Sequence, residues 1–596
     1  MTKKVTAIKY TARDFNTIKD ELVEYSKRYY PETFSDFNKA SFGSLILDTV
    51  SYVGDVMSFY VDYQFNESML NTAVEFDNIV KIAKQLGYKY NPKSTAFGFL
   101  TMYISVPADP SGLGPNVDYI PVLKKGSTFG STGGQTFTLL QDVDFSQSTN
   151  EIVVAEVDQT TGTPTRYAIK TTGIVQSGFS QQKVVQVGAF ERFKKIDIED
   201  PNVLEIVSVI DQEGNEYYEV DHLSQDVIFR EVSNNNFQTD GVPSILKPFP
   251  VPRRFTVEKS NTTTVLQFGY GSEDELTDSS VIEPAQAVLQ LQAKRYSSEV
   301  SFDPTNLIKS DKFGVSPSNT VVTVVYRKAN ATTSNAAAGT ITQVKAATLS
   351  YPNIDNTVAN ERATILSSIE VFNQEPLTGE VRLDAAEELR RNAMDFYATQ
   401  NRAVSALDYQ SLIYAMPASY GRIKRCSIFQ DNKSFKRNIN IYVISQANNG
   451  TLTAANSIIK SNLKTWLSQY KMINDTVDIL DAKIINYGID FNIVVDSQYD
   501  KIEILNKCLN ALYSEVSIMD IGESISVANI YNILNKITGV IDVTDVRIIP
   551  KIGGSYSDVY LNFDKAKTYD GKYVNAPKNV IFEIKFPTSD IKGTVS

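Results

Sequence analysis

Chemistry in this chain would have to run on few reactive side chains. Cys426 and Cys508 are the only cysteines and His222 is the only histidine. Two cysteines so far apart in sequence cannot complete a cysteine-based zinc site or a disulfide framework, and their scarcity suits a reducing compartment. A single histidine excludes, within one chain, a His-rich metal site, a two-His-carboxylate triad and an HExxH zincin. A Ser-His-Asp arrangement would have to use His222, but Glu219-Val-Asp-His-Leu-Ser224 reads as the end of a hairpin strand, which gives the imidazole a structural role. Gly126-Ser-Thr-Phe-Gly-Ser-Thr-Gly-Gly134 is glycine-rich enough to cradle a phosphate. Its order is wrong, because Lys125 precedes the glycines and no Gly-Lys-Ser/Thr opens a helix after them. With 69 Asp and Glu residues, carboxylate pairs arise by chance and assign nothing. No catalytic residue, metal or cofactor is expected.

What stands out instead is a helix over Ser41 to Leu70. Ile46, Val50, Val53, Met57 and Tyr60 follow one another at spacings of 4, 3, 4 and 3, the a/d seam of a bundle helix. Asp48, Asp55 and Asp62 recur every seven residues at f, so this edge is expected to face water. Leu47 and Val61 at e, Val56 and Tyr63 at g, and Tyr52 and Phe59 at c make the flanks apolar as well. Such a helix needs neighbours on more than one side. An internal core and an intersubunit bundle both satisfy that need. A membrane span does not fit, because each Asp near mid-helix would cost about 2.5–3.5 kcal/mol on insertion.

Composition sets the frame. The chain has 596 residues, 42% of them hydrophobic and 21% charged, with net charge -11, mean hydropathy -0.20 and pI near 5.0. It is long enough for about four domains. The acidic balance and the lack of a long Lys/Arg cluster give no footprint for nucleic acid. Neither a secretory signal nor a membrane segment is expected. The 32 tyrosines suit surfaces that become buried on assembly.

Read in order, the sequence predicts a multidomain α+β chain. Residues 1–92 are expected to form a helical segment contributing to an intersubunit bundle. Its first helix is launched by a capping pair in Thr11-Ala-Arg-Asp14, striped by Phe15, Ile18, Leu22 and Tyr25, and stopped by Pro31. A third helix runs from Phe76 to Leu86 and ends at Gly87. Residues 93–328 read as β-rich. They hold a strand from Thr95, a loop over Pro107–Pro121, strands over 151–157, 166–175, 183–198, 203–210 and 216–220, and a hairpin turn at Asp211–Asn215. Further strands are expected at Thr264–Phe268, Ala287–Leu291 and Val321–Arg327. The small-residue stretch over 329–340 is the linker candidate. Residues 341–422 read as a helical connector, with a strand at 340–347, helices over Asn360–Phe372 and Leu383–Ala398, and a capping box at Ser405-Ala-Leu-Asp408. Alternating strands and helices over 423–550 suggest a C-terminal split-βαβ-like α/β sandwich that self-associates through Tyr487, Tyr499, Tyr513, Tyr531 and Tyr556. Residues 551–596 read as a β extension with a frayed polar end.

The order of these features resembles the baseplate-J-like wedge proteins of contractile-tailed bacteriophages, most closely the large wedge subunit of T4-like myoviruses. At the N-terminus the resemblance rests on Tyr10-Thr-Ala-Arg-Asp-Phe15, Ala40-Ser-Phe-Gly43, Leu47-Asp-Thr-Val-Ser-Tyr-Val-Gly-Asp55 and Asn66-Glu-Ser68. At the C-terminus it rests on Asn401-Arg-Ala-Val-Ser-Ala-Leu-Asp-Tyr409 and Ile537-Thr-Gly-Val-Ile-Asp-Val543. Phe268-Gly-Tyr-Gly271 is similar to the family's Phe-Gly-x-Gly turn, but Ser272-Glu-Asp-Glu275 replaces the Gly and Pro usual after it. The resemblance implies a structural subunit of the virion's tail baseplate, assembled in the host cytoplasm. It would pair with itself and with a second wedge protein through a helical bundle whose seam is Ile46, Val50, Val53, Met57 and Tyr60, and it would contact hub or sheath-proximal tail proteins. Neither nucleic acid nor membrane is implied as a partner. The competing readings are an envelope-binding or polysaccharide-acting tail component and the equivalent baseplate part of a non-phage contractile injection system.

Overall fold

The computed structural model describes residues 14–30, 32, 38, 41–111, 114–233, 244–260, 263–272, 313–329, 333–381, 386–430, 438–515 and 518–595. Several expected features lie outside the described residues: Thr11, Pro31, the strand Ala287–Leu291, the Glu273-Asp-Glu275 segment, and the start of Leu383–Ala398.

Three helices open the chain: α1 (Phe15–Tyr29), α2 (Phe42–Glu67) and α3 (Phe76–Gln85). Asp14 is itself the N-cap of α1, its carboxylate accepting from the Thr17 amide at 2.9 Å. The expected pairing of Thr11 with Asp14 placed that cap one turn too early. Past α3, Gly87 adopts φ +87°, the left-handed value that closes a helix without a Cβ clash.

The chain then builds two seven-stranded sheets. The first runs in the order Ile341–Ala346, Thr128–Ser131, Thr136–Leu139, Pro164–Ser177, Phe97–Pro107 and Glu370–Phe372, with Glu151–Val157 also on Pro164–Ser177. Along Phe97–Pro107 the residues turned into the core are Leu100, Met102, Ile104 and Val106, while Phe99 is exposed. Period-2 alternation therefore holds, with the aliphatic set inside. The glycine-rich 126–134 stretch is the hairpin between Thr128–Ser131 and Thr136–Leu139, paired Phe129 to Phe137. The second sheet runs in the order Phe179–Val187, Thr320–Lys328, Val203–Ile210, Glu216–Glu219, Arg254–Lys259, Thr264–Phe268 and Lys195–Asp197, so the single strand expected over 183–198 is two. Val209, Phe255, Leu266, Phe268, Val322 and Val324 form its core.

The expected linker 329–340 is packed at Ala329 and over 334–336, while Ala337 and Ala338 are exposed. Ser334, Asn335 and Ala336 are buried, and the Asn335 amide donates to the Glu380 and Gln446 carbonyls at 2.9 Å. Small side chains here permit close backbone packing. The helix expected over Asn360–Phe372 stops early: α4 (Ala359–Ser367) gives way to Glu370–Phe372, a strand on the first sheet. Then come α5 (Ala386–Thr399) and α6 (Ala406–Tyr414), the latter with the expected reciprocal Ser405–Asp408 capping box.

The C-terminal part holds two cores where one sandwich was expected. Ile439–Gln446, α7 (Ser457–Ser468) and Val477–Asp481 make a βαβ unit with parallel strands, packed on α6 through Leu412, Ile459 and Leu463. In the second core, Lys483–Val495 pairs antiparallel with Val540–Lys551 under α8 (Lys501–Glu515) and α9 (Val527–Asn535). Its parallel partners are Val580–Glu583 and Ile591–Val595. The tail expected to fray is thus a strand within this core.

Candidate assembly surface

No buried residue lies in α1, and the buried residues of α2 are Ser44, Ser51 and Glu67. The two helices pack along small side chains. A Cβ built on Gly54 would lie 3.2 Å from Ile18 Cδ1, so glycine here allows α1 to approach α2 closely. Lys19 Nζ pairs with Asp48 at 2.5 Å across the same contact. Asp48, Asp55 and Asp62, expected in water, are each half-buried, and Asp48 meets α1 through Lys19. Lys19 can neutralise that carboxylate there.

The apolar seam points elsewhere. Ile46, Val50, Val53, Met57 and Tyr60 are all exposed, from 48% at Ile46 to 63% at Met57, and Phe42, Leu45, Tyr52, Val61 and Phe65 are exposed with them. A set of large apolar side chains on one helix is far more than the scattered exposure normal for a monomer. The periodic apolar positions of α2 are thus left exposed among the described residues.

The hairpin is rooted firmly. The Glu67 carboxylate accepts from the Val74 amide at 2.7 Å and from Asn78 Nδ2 at 2.9 Å, and Tyr63 donates to Glu75 at 3.2 Å. Below this reversal, Ile79 and Ala83 of α3 are buried against Leu389 and Ala393 of α5, and Tyr88 meets Phe396 edge to face. Burial pushes the Glu67 carboxyl up, but donors from Asn78, Val74 and Glu75 outweigh it and hold the group below its ordinary 4.5. Stability from this carboxylate is therefore present above about pH 4.5 and lost as pH falls through the lower folded-state value. Glu67→Gln should cost about 1–3 kcal/mol at pH 7, and melting curves of both proteins should converge as pH drops below 4. A deficit that stays constant into acid would contradict the cap.

The other candidate groups are placed apart from this surface. His222 is exposed on a loop. Both thiols are buried, and burial pushes Cys426 up to about 12 and Cys508 up to about 11, so neither is a thiolate near neutrality. The buried carboxylates hold structure: Asp590 accepts from Tyr556 Oη at 2.6 Å and from the Phe586 amide at 2.9 Å. Among the described residues, no cluster of three or more His, Cys, Asp or Glu side chains is arranged to hold a metal, and no helix is long and apolar enough to cross a membrane. A groove of about 440 Å³ beside Thr128, Thr136, Ser180 and Lys345 offers hydroxyls and one cation. The five C-terminal tyrosines do not form one surface. Tyr487 is in the core, Tyr513 and Tyr531 pack against it, Tyr556 is tied to Asp590, and Tyr499 is exposed.

Residues 14–85, from the N-cap of α1 to the end of α3, match the family model described as bacteriophage baseplate protein, N-terminal domain. The hairpin and its root thus carry the sequence pattern of a baseplate protein's N-terminal domain. No curated protein matches the chain. A chain in the cryo-EM structure of the anti-feeding prophage baseplate aligns over 97% of this chain and 99% of its own at 10% identity and TM-score 0.26. A chain of the type VI secretion system TssK-TssF-TssG baseplate subcomplex aligns over 73% and 96% at 8% identity and TM-score 0.25. At these scores neither likeness establishes a shared fold.

Proposed function

We propose that the chain is a structural subunit of a phage tail baseplate wedge that assembles, in the host cytoplasm, with itself and with a second wedge protein. The α1–α2 hairpin is the assembly element, and Ile46, Val50, Val53, Met57 and Tyr60 are the seam that the partner helices cover. One observation carries this reading: the exposed seam lies on the longest helix of the segment that matches the baseplate family model. Fully burying a side chain such as Val or Met contributes about 1.5–3 kcal/mol, so a five-residue seam has ample driving force for a specific bundle. The structural role is supported further by the state of the reactive groups, since the thiols are buried and Asp590 and Glu67 hold backbone donors.

Met57→Cys tests the reading directly. In the free chain this thiol should react readily with a maleimide at pH 7, over a low background from the buried Cys426 and Cys508. In purified tails carrying the same substitution it should be protected. Equal labelling rates in free and assembled protein would refute the proposed interface.

A further inference from the structure

A small cavity lies between α5, α6 and the segment 422–425. Among the described residues its lining holds the cationic side chains of Arg391, Arg422, Lys424 and Arg425, the carboxylate of Glu388 and the amide of Asn392. Arg425 is compensated, because its guanidinium pairs with Glu388 at 3.0 Å and with Asp520 at 2.9 Å.

Arg422 is different. It is 5% exposed, its Nη1 donates to the Asn91 carbonyl at 2.9 Å, and its buried Nε has no hydrogen-bond partner. A carbonyl oxygen satisfies one N–H but does not neutralise a buried charge, which is costly unless paired. The titratable groups that act on Arg422 in its favour are Tyr88 and Tyr90, both neutral near pH 7, and burial pushes its pKa down. A water molecule in the cavity would accept from Nε and leave the charge uncompensated. An anion does both.

We propose that this cavity binds one halide ion, held by Arg422 Nε. The space open to the centre of a water-sized sphere is about 20 Å³, so a single halide ion fits. Arg391 is both part of the lining and exposed, which gives the ion a route from solvent. The position has a consequence for the molecule. Asn91 and Tyr88 follow α3, so an anion on Arg422 tightens the junction where the root of the N-terminal hairpin meets α5.

Two measurements on the full chain test the site. Melting at pH 7 is compared in sodium chloride, sodium bromide and sodium gluconate at equal ionic strength, for the native protein and for Arg422→Met. Chloride and bromide should raise the native Tm by about 2–4 °C over gluconate, with saturation, and the difference should vanish in the variant. Bromide anomalous diffraction from native crystals reads the site without any variant, and should give a peak within hydrogen-bonding range of Arg422 Nε. A native Tm indifferent to halide, a halide effect that survives in a folded Arg422→Met protein, or a bromide-soaked crystal with no peak at Arg422 would each overturn the proposal and leave water as the occupant.

Discussion

Val53→Asp and Met57→Asp, made separately, are expected to leave thermal melting of the isolated protein nearly unchanged and to abolish binding to the proposed wedge partner. Each side chain is about half or more exposed on the open face of α2, and surface substitutions of this kind usually stay within about 0.5 kcal/mol. In a bundle the same carboxylate would be buried without a cation. A penalty of about 3–5 kcal/mol corresponds to roughly 150-fold or more in Kd. Asp55→Ala is not a neutral control, because Asp55 is half-buried; Glu24→Ala on the exposed side of α1 serves instead. Co-purification with the partner and melting of each variant are the readouts. Unfolding of both seam variants would make the seam an internal core, and retained binding by both would remove it from the interface.

Gly269→Ala should be among the most damaging single substitutions in the second sheet. Tyr270 and Gly271 both donate their amides to the Gly314 carbonyl at 2.9 Å, which brings the two glycine strands of backbone together. A Cβ on Gly269 would sit 2.0 Å from that oxygen and 2.2 Å from its carbon, and backbone cannot swing aside as a side-chain tip can. Gly314 itself holds φ +80°, with the Arg254 side chain against it, so its strand has little room to yield. The expected loss is at least about 3 kcal/mol, above the usual range for one added methyl in a core, seen as a lower urea midpoint for the full chain. A midpoint within error of the native protein would mean that the Gly269–Gly314 contact is not close. The glycine pair of Phe268-Gly-Tyr-Gly271, legible in the sequence as a simple turn, thus serves close backbone approach.

Several helix starts, most strands and the apolar periodicity of α2 were set by local information. Ser41 and Ser405 mark helix starts through their own side-chain caps, and apolar spacing of 4 and 3 is readable without knowing what lies beside it. Scarcity was equally direct, since one histidine and two cysteines bound the available chemistry before any folding is considered. What the spacing could not convey is which face meets which neighbour. Burial is a property of pairs of elements distant in sequence: Lys19 decides that Asp48 turns inward, and Gly54 decides how near Ile18 can come. For the same reason the 334–336 stretch looked like a tether from its composition, yet Glu380 and Gln446 hold it in place. Ile591–Val595 looked like a polar end because its stabilisation comes from a strand about a hundred residues earlier. Arg422 carried no signal at all in sequence. Its uncompensated charge exists only where α5, α6 and the chain after α3 converge, because a charge becomes costly only when folding removes the water around it.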